Sequence, residues 1–207
     1  MENHHYYKYE QIEKISKSVI YYYRNLRNDI TLPIDVEFII EHILNLKLLW
    51  NPIKGSDGEV ILAMVTPTKT QIQMNSDQMQ MFDSVPNLER TVLSHEIGHF
   101  ILHKLEITNP GHSYKRSIAK SNDPLEREAH QFAACLLLPR DYLLDFIRLN
   151  SKKIDFNGWG TIYFLAQSFG VTKTMLMLRL KEIGILSRTI TGEFISQTGH
   201  NYGQLLV

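Results

Sequence analysis

Between residues 9 and 27, Ile12, Ile15, Val19, Tyr22 and Leu26 stand alternately three and four apart, the period of one helix face. Two heptads are too few for a coiled coil. The pattern therefore predicts an amphipathic helix that packs on the body of the protein, with Tyr21, Tyr22 and Tyr23 as its packing edge. Asp35 can cap a second helix through about Leu46, apolar at Phe38, Ile39, Ile43 and Leu44. From there the period shortens. Leu46 to Trp50, Glu59 to Thr66 and Thr70 to Met74 read as three short strands, separated by turn-forming Gly55-Ser56-Asp57-Gly58 and Pro67-Thr68-Lys69. A small, mostly antiparallel sheet is the expected result.

Helical spacing returns around Leu88, Val92, Leu93, Ile97, Phe100, Ile101 and Leu102. These apolar groups surround the helix instead of forming a stripe, which marks it as buried. Residues 105–122, with Pro110-Gly111 and Lys115-Arg116, form a long polar connection expected to border a cleft. Asp123 and Pro124 are the N-cap and first-turn residues of a further helix that stops at Pro139 and buries Leu125, Ala129, Phe132, Ala133 and Leu136. Beyond it, residues 165–172 followed by a helix from Lys173 to about Ile183 have the small residue, turn glycine and second N-cap of a helix-turn-helix. Leu176, Leu180 and Ile183 would face a core, while Lys173, Arg179 and Lys181 supply its positive charge. Packing within the protein is the expected role, and direct DNA contact the alternative. The segment 189–207 is polar and expected to be loosely held. The chain thus divides into an α+β domain over residues 1–150, a helical subdomain over 151–188 and a tail over 189–207.

Composition narrows the classes. With 207 residues and 43% hydrophobic content the chain can bury a core without covalent staples. Its 22 basic and 22 acidic residues cancel, so no global field draws it to nucleic acid. The single cysteine, Cys135, excludes an internal disulfide and is expected to be an inert thiol in a reducing compartment. The sequence shows no apolar leader core and no apolar run of membrane-spanning length, so a cytoplasmic protein without membrane contact is expected.

The chemistry is concentrated in His95-Glu96-Ile97-Gly98-His99. Side chains four apart on a helix stack above one another, so the two imidazoles can converge on one metal ion. Glu96 lies about 100° further round, where a carboxylate can reach a water beside the metal without ligating it. Histidines and a glutamate inside a buried helix are costly unless something pairs with them, and a cation does so. A catalytic zinc takes three protein ligands and keeps a position open, so a third must come from elsewhere. On the helix after Asp123, Glu126 lies at the edge of the buried stripe and Glu128 about 100° from its centre, which favours Glu126. Two alternatives remain at this point: Glu126 completing a capping box, or Glu128 as the ligand.

HEIGHFILH, followed after 22 residues by ExEAxxFAAxLLLP, resembles the ImmA/IrrE family of bacterial and phage metallopeptidases, which have the zincin architecture. The resemblance extends upstream to Leu32-Pro33-Ile34-Asp35 and Ile72-Gln73-Met74-Asn75, and downstream to Phe169-Gly170-Val171-Thr172 and Arg179-Leu180. It implies one zinc per chain held by His95, His99 and Glu126, with Glu96 as the catalytic base. Where the family often carries Asn after the Glu-Ala pair, this chain has His130. His130 lies one turn beyond Glu126 and is expected to hydrogen-bond a ligand or polarise a substrate carbonyl; as a fourth ligand it would close the site and make it structural. His103 is expected to support a ligand or to face solvent, and His112 and Tyr114, between the two helices, to touch substrate.

The expected function is zinc-dependent endopeptidase action on a protein substrate. The resemblance implies a helix-turn-helix transcriptional repressor of a phage, mobile element or stress regulon. Against it stands a non-catalytic, zinc-containing regulator that binds a repressor or DNA, supported by the helix-turn-helix pattern; only a hydrolase needs Glu96.

Overall fold

The computed structural model describes residues 6–28, 31–55, 60–66, 68, 70–103, 114–117, 123–156, 159–188, 194–196 and 201–202. Helix α1 (Tyr9–Arg27) leads to α2 (Val36–Phe38), which continues as a π-helical turn over Ile39–Ile43. Strands β1 (Lys47–Asn51), β2 (Ile61–Val65) and β3 (Gln71–Asn75) follow, then α3 (Met79–Ser84) and α4 (Leu88–Leu102). Strand β4 (Tyr114–Ser117) precedes α5 (Pro124–Leu137), α6 (Arg140–Leu149), α7 (Trp159–Phe169) and α8 (Lys173–Glu182). Strands β5 (Leu186–Arg188), β6 (Phe194–Ser196) and β7 (Asn201–Tyr202) form a small antiparallel meander. The fold is α+β, as the sequence predicts.

The main sheet has the order β1-β3-β2-β4. β1 runs parallel to β3, and β2 pairs antiparallel with both β3 and β4, so the sheet is mostly antiparallel. On β3, Ile72 and Met74 are buried while Gln71 and Gln73 are only half-buried, the period-two signature of a sheet with one covered face. Buried Asn75 locks the end of β3: its amide donates to the carbonyls of Ile53 and Ile61 and its oxygen accepts from the N–H of Ile53 and Asp77. Helix α4 lies against β2 on one side and α5 on the other, with α1 packed across α5. Residues 91–99 of α4 are therefore all buried.

Three expectations need correction. On α1 the buried face is Ile12, Ser16, Val19, Ile20 and Tyr23, whereas Tyr22 and Leu26 are 60% and 57% exposed. A true helical period selects 12, 16, 19 and 23, and Tyr23 satisfies its hydroxyl by accepting from Asp35 N–H at 3.1 Å. The second helix, capped by Asp35 as expected, ends at Ile43 instead of Leu46, because Asn45 takes a left-handed conformation with φ 53°. The connection over 105–122 contains a strand: β4 pairs Lys115 with Met64 and Tyr114 with Val65. A four-residue polar strand held by backbone pairing leaves no apolar alternation to read.

The helix pair α7–α8 docks onto the same body. Arg90 on α4 donates to the Gly170 carbonyl at 3.0 Å, and Asn87 donates to Val171 at 3.3 Å. Gly170 has φ +60°, and a Cβ there would stand 2.8 Å from the Pro33 ring. Arg179 is fully buried, donating to the Leu138 carbonyl and Tyr9 hydroxyl and pairing with Glu13 at 2.7 Å. The largest cation of α8 is thus used internally. Leu176 and Leu180 are buried as expected.

Candidate metal centre

Each chemical group of the site is delivered by a named local feature. Thr91 on the first turn of α4 donates to the Asn87 carbonyl and holds the entry to that helix. One and two turns later, α4 presents His95 and His99 on one face, with ring centroids 4.5 Å apart and nearly perpendicular. Their Nε2 atoms are 2.9 Å apart. Asp123 caps α5 by accepting from Leu125 N–H, so Glu126 is released from capping and its carboxylate turns to α4. Glu126 Oε2 lies 3.1 Å from His95 Nε2 and Oε1 lies 3.1 Å from His99 Nε2.

The two imidazole nitrogens stand 2.9 Å apart and each lies 3.1 Å from its own oxygen of the Glu126 carboxylate, separations close to the ~3.3 Å edge expected of a tetrahedral shell with bonds of about 2.0–2.2 Å. Two imidazole nitrogens and one carboxylate are also a recognised donor set for a catalytic zinc. Burial raises the Glu126 carboxyl, but the hydrogen bonds from His95 and His99 more than offset it, so the group is held well below the usual carboxylate range. An ionised carboxylate facing two imidazoles is the state that receives a cation. The residues present therefore fit a metal ion.

Glu96 is fully buried beside this cluster and accepts from the backbone N–H of Val65, at the end of β2, at 3.1 Å. The sheet thus fixes the carboxylate orientation. His130 is exposed, its ring centroid 4.4 Å from that of His95, and it groups with His95 and Glu126 with donor atoms within 4.8 Å of one another. It stands at the mouth of the site.

His103 is 1% exposed, so it does not face solvent. Burial, with His99 beside it, lowers its pKa to about 3, which keeps the ring neutral. Its Nδ1 is 3.0 Å from His99 Nδ1 and its Nε2 is 3.2 Å from Glu128 Oε2. Glu128 also accepts from Tyr7 N–H at 2.8 Å. Glu126 reaches the cluster although Glu128, contrary to expectation, is the more deeply buried of the two: the Glu128 side chain is 3% exposed and that of Glu126 is 14%. The segment before α1 and α1 itself cover the flank of α5 that a helical wheel of α5 alone assigns to solvent. His112 lies outside the described residues; Tyr114 heads β4, but its side chain lies outside the description.

Residues 84–181 match the Peptidase_M78 family, described as the IrrE N-terminal-like domain. This region belongs to the ImmA/IrrE family. The match runs from the residues before α4 to the last turn of α8, so it contains the His-Glu helix, Glu126 and the α7–α8 pair together. It supports a metallopeptidase-type function, a bound metal ion and a protein substrate. No curated protein matches the chain. No described helix is long and apolar enough to cross a membrane.

The sequence points to His95, Glu96, His99 and Glu126, offers Glu128 only as an alternative metal ligand, and gives Tyr7 and the Val65 backbone no part. Glu128 carried a signal in its position one helical turn from both Leu125 and Phe132. The contacts of Tyr7 and Val65 are made by backbone groups across 121 and 31 residues and leave none.

Proposed function

We propose that this protein is a zinc-dependent endopeptidase that hydrolyses a peptide bond in a protein substrate. The observation that carries the reading is the convergence of His95 Nε2, His99 Nε2 and the Glu126 carboxylate within 3.1 Å, with Glu96 buried alongside. His95, His99 and Glu126 would hold the metal. A zinc ion so held supplies Lewis acidity toward water and the scissile carbonyl. Glu96, oriented by Val65 N–H, takes the proton of the attacking water and delivers it to the leaving amine nitrogen. His130, exposed beside His95, would donate a hydrogen bond to the substrate carbonyl oxygen.

The ImmA/IrrE resemblance points to a helix-turn-helix repressor of a phage, mobile element or stress regulon as the substrate, met in the cytoplasm. The test incubates the purified protein with candidate helix-turn-helix repressors from its source genome, with and without chelator, and follows repressor length. Cleavage that chelator abolishes and Glu96→Gln abolishes, while that variant still binds zinc, is the expected result. An intact repressor released from its operator equally by wild type and Glu96→Gln would instead establish the non-catalytic regulator, for which the α7–α8 turn around Gly170 is the supporting feature.

A further inference from the structure

The outer side of the metal centre continues as an unbroken chain of polar contacts into the N-terminal segment. His99 Nδ1 meets His103 Nδ1 at 3.0 Å, His103 Nε2 meets Glu128 Oε2 at 3.2 Å, and Glu128 Oε1 accepts from Tyr7 N–H at 2.8 Å. His99, His103 and Glu128 are 0%, 1% and 2% exposed, so water does not compete for these bonds. We propose that Glu128, His103 and the Tyr7 backbone form a directional relay that fixes His99 in the one tautomer able to ligate a metal through Nε2. The proposal rests on the metallopeptidase reading only in taking His99 as a ligand.

Each proton position follows from the one before it. Glu128 Oε1 is already an acceptor, and a Glu128 carboxylate offers His103 only a second acceptor oxygen, so the relay puts the proton of His103 on Nε2. A neutral imidazole protonated there has its lone pair on Nδ1, which requires a donor opposite. That donor is His99 Nδ1–H, and the lone pair of His99 is left on Nε2, the atom that faces His95 and Glu126. The opposite direction is self-defeating. A His103 that donated from Nδ1 would take the lone pair of His99 Nδ1, place the proton on His99 Nε2 and block ligation. Glu128 and His103 are therefore positioning residues, and the strap at residues 6–8 belongs to the support of the centre because its N–H occupies the second carboxylate oxygen.

Glu128→Gln tests the direction without changing size. With its oxygen held by Tyr7 N–H, the amide of Gln presents a donor to His103 Nε2 and reverses the relay. Zinc affinity is expected to fall about 10- to 100-fold, the range for loss of an outer partner of a ligand. Tyr7→Pro, which deletes the N–H together with the ring that packs on the core, should weaken zinc binding by a smaller factor, and by more than Tyr7→Ala, which loses the ring but keeps the N–H. A readout that needs no variant is nitrogen-15 NMR of the histidine rings in the zinc-loaded wild type, where His99 should carry its proton on Nδ1 and His103 on Nε2 alone. A doubly protonated His103, a proton on His103 Nδ1, or unchanged zinc affinity in Glu128→Gln would overturn the relay. Zinc binding that survives His99→Ala would instead sink the ligand assignment, and the two failures are separable because the tautomers are read residue by residue.

Discussion

Gly98 on α4 faces the backbone of Ala129 on α5 at van der Waals contact: a Cβ at residue 98 would stand 3.0 Å from both the Cα and the carbonyl oxygen of Ala129, and 3.3 Å from Phe132 Cβ. The glycine inside the His-Glu motif is what lets α5 approach closely enough for Glu126, one turn before Ala129, to reach both histidines.

Gly98→Ala is accordingly expected to lose metal affinity despite the better helix propensity of alanine. The propensity gain is about 1 kcal/mol, whereas overpacking a close contact costs about 1–3 kcal/mol. The new methyl meets backbone, which cannot rotate away, so α5 must shift and take Glu126 with it. Zinc titration should show weaker binding by at least about tenfold, comparable to loss of a supporting group. Unchanged affinity would mean that the Gly98–Ala129 contact does not set the position of Glu126.

The site was legible in the sequence where one element carries it and illegible where two elements meet. His95, Glu96 and His99 share one helical turn and one motif, so their juxtaposition needs no tertiary information. Glu126 was reachable by a wheel argument whose premise is wrong, since Glu128 is the more deeply buried of the two. A wheel knows the inward face of a helix but not that α1 crosses its flank. The same blindness made Tyr21, Tyr22 and Leu26 look packed and hid Ser16 and Ile20, because spacings of three-four and of four-three from Ile12 both suit a helix and only the neighbouring elements decide between the two faces. Strand β4 was lost because its partner, β2, lies 50 residues away and its own side chains are polar.

The donor set predicts separable effects of two residues one turn apart. Glu126→Ala removes one of three proposed ligands and should lose bound zinc. His130→Asn should retain it, since His130 is exposed at the mouth and Asn keeps hydrogen-bonding capacity. Metal content after dialysis, with chelator-treated protein as the blank, reads both. Loss of metal in His130→Asn would make His130 a fourth ligand and the site a closed, structural one.

Cys135 is expected to be silent at neutral pH. Burial pushes its thiol up from the ordinary 9.0 to about 11. The sign follows: the unfolded chain gives up this proton first as pH passes 9.0, so the thiol adds nothing to the pH dependence of stability below that value and lowers stability between 9.0 and about 11. The slope from this group is at most about 1.4 kcal/mol per pH unit. A thiol reagent at pH 7–8 should label native protein only as fast as it unfolds, and Cys135→Ala should flatten the fall in stability above pH 9. Rapid native labelling at pH 7 would contradict the burial.

Arg179 separates structural from nucleic-acid roles for α8. Its guanidinium is fully buried and joins three parts of the molecule, the Leu138 carbonyl after α5, Glu13 and Tyr9 on α1, and its own helix through Glu182 at 3.8 Å. Arg179→Met leaves Glu13 and a backbone carbonyl without their cation and should cost about 3–5 kcal/mol, the range for breaking a buried pair by removing one partner. Arg179→Lys should recover only part of it, since one ammonium cannot span the separate acceptors that a planar fork reaches. Lys173→Ala, on the exposed side where the ammonium lies over the Tyr163 ring, should stay within about 0.5–1 kcal/mol. Urea denaturation of the four proteins gives these differences directly. If α8 instead entered a DNA groove, Arg179→Met would leave the urea midpoint near wild type and reduce salt-sensitive retention on duplex DNA. The buried geometry predicts the reverse, a large loss of stability and no change in DNA retention, because a guanidinium that is 0% exposed and held by Glu13, Tyr9 and Leu138 does not reach the surface where a phosphate could meet it.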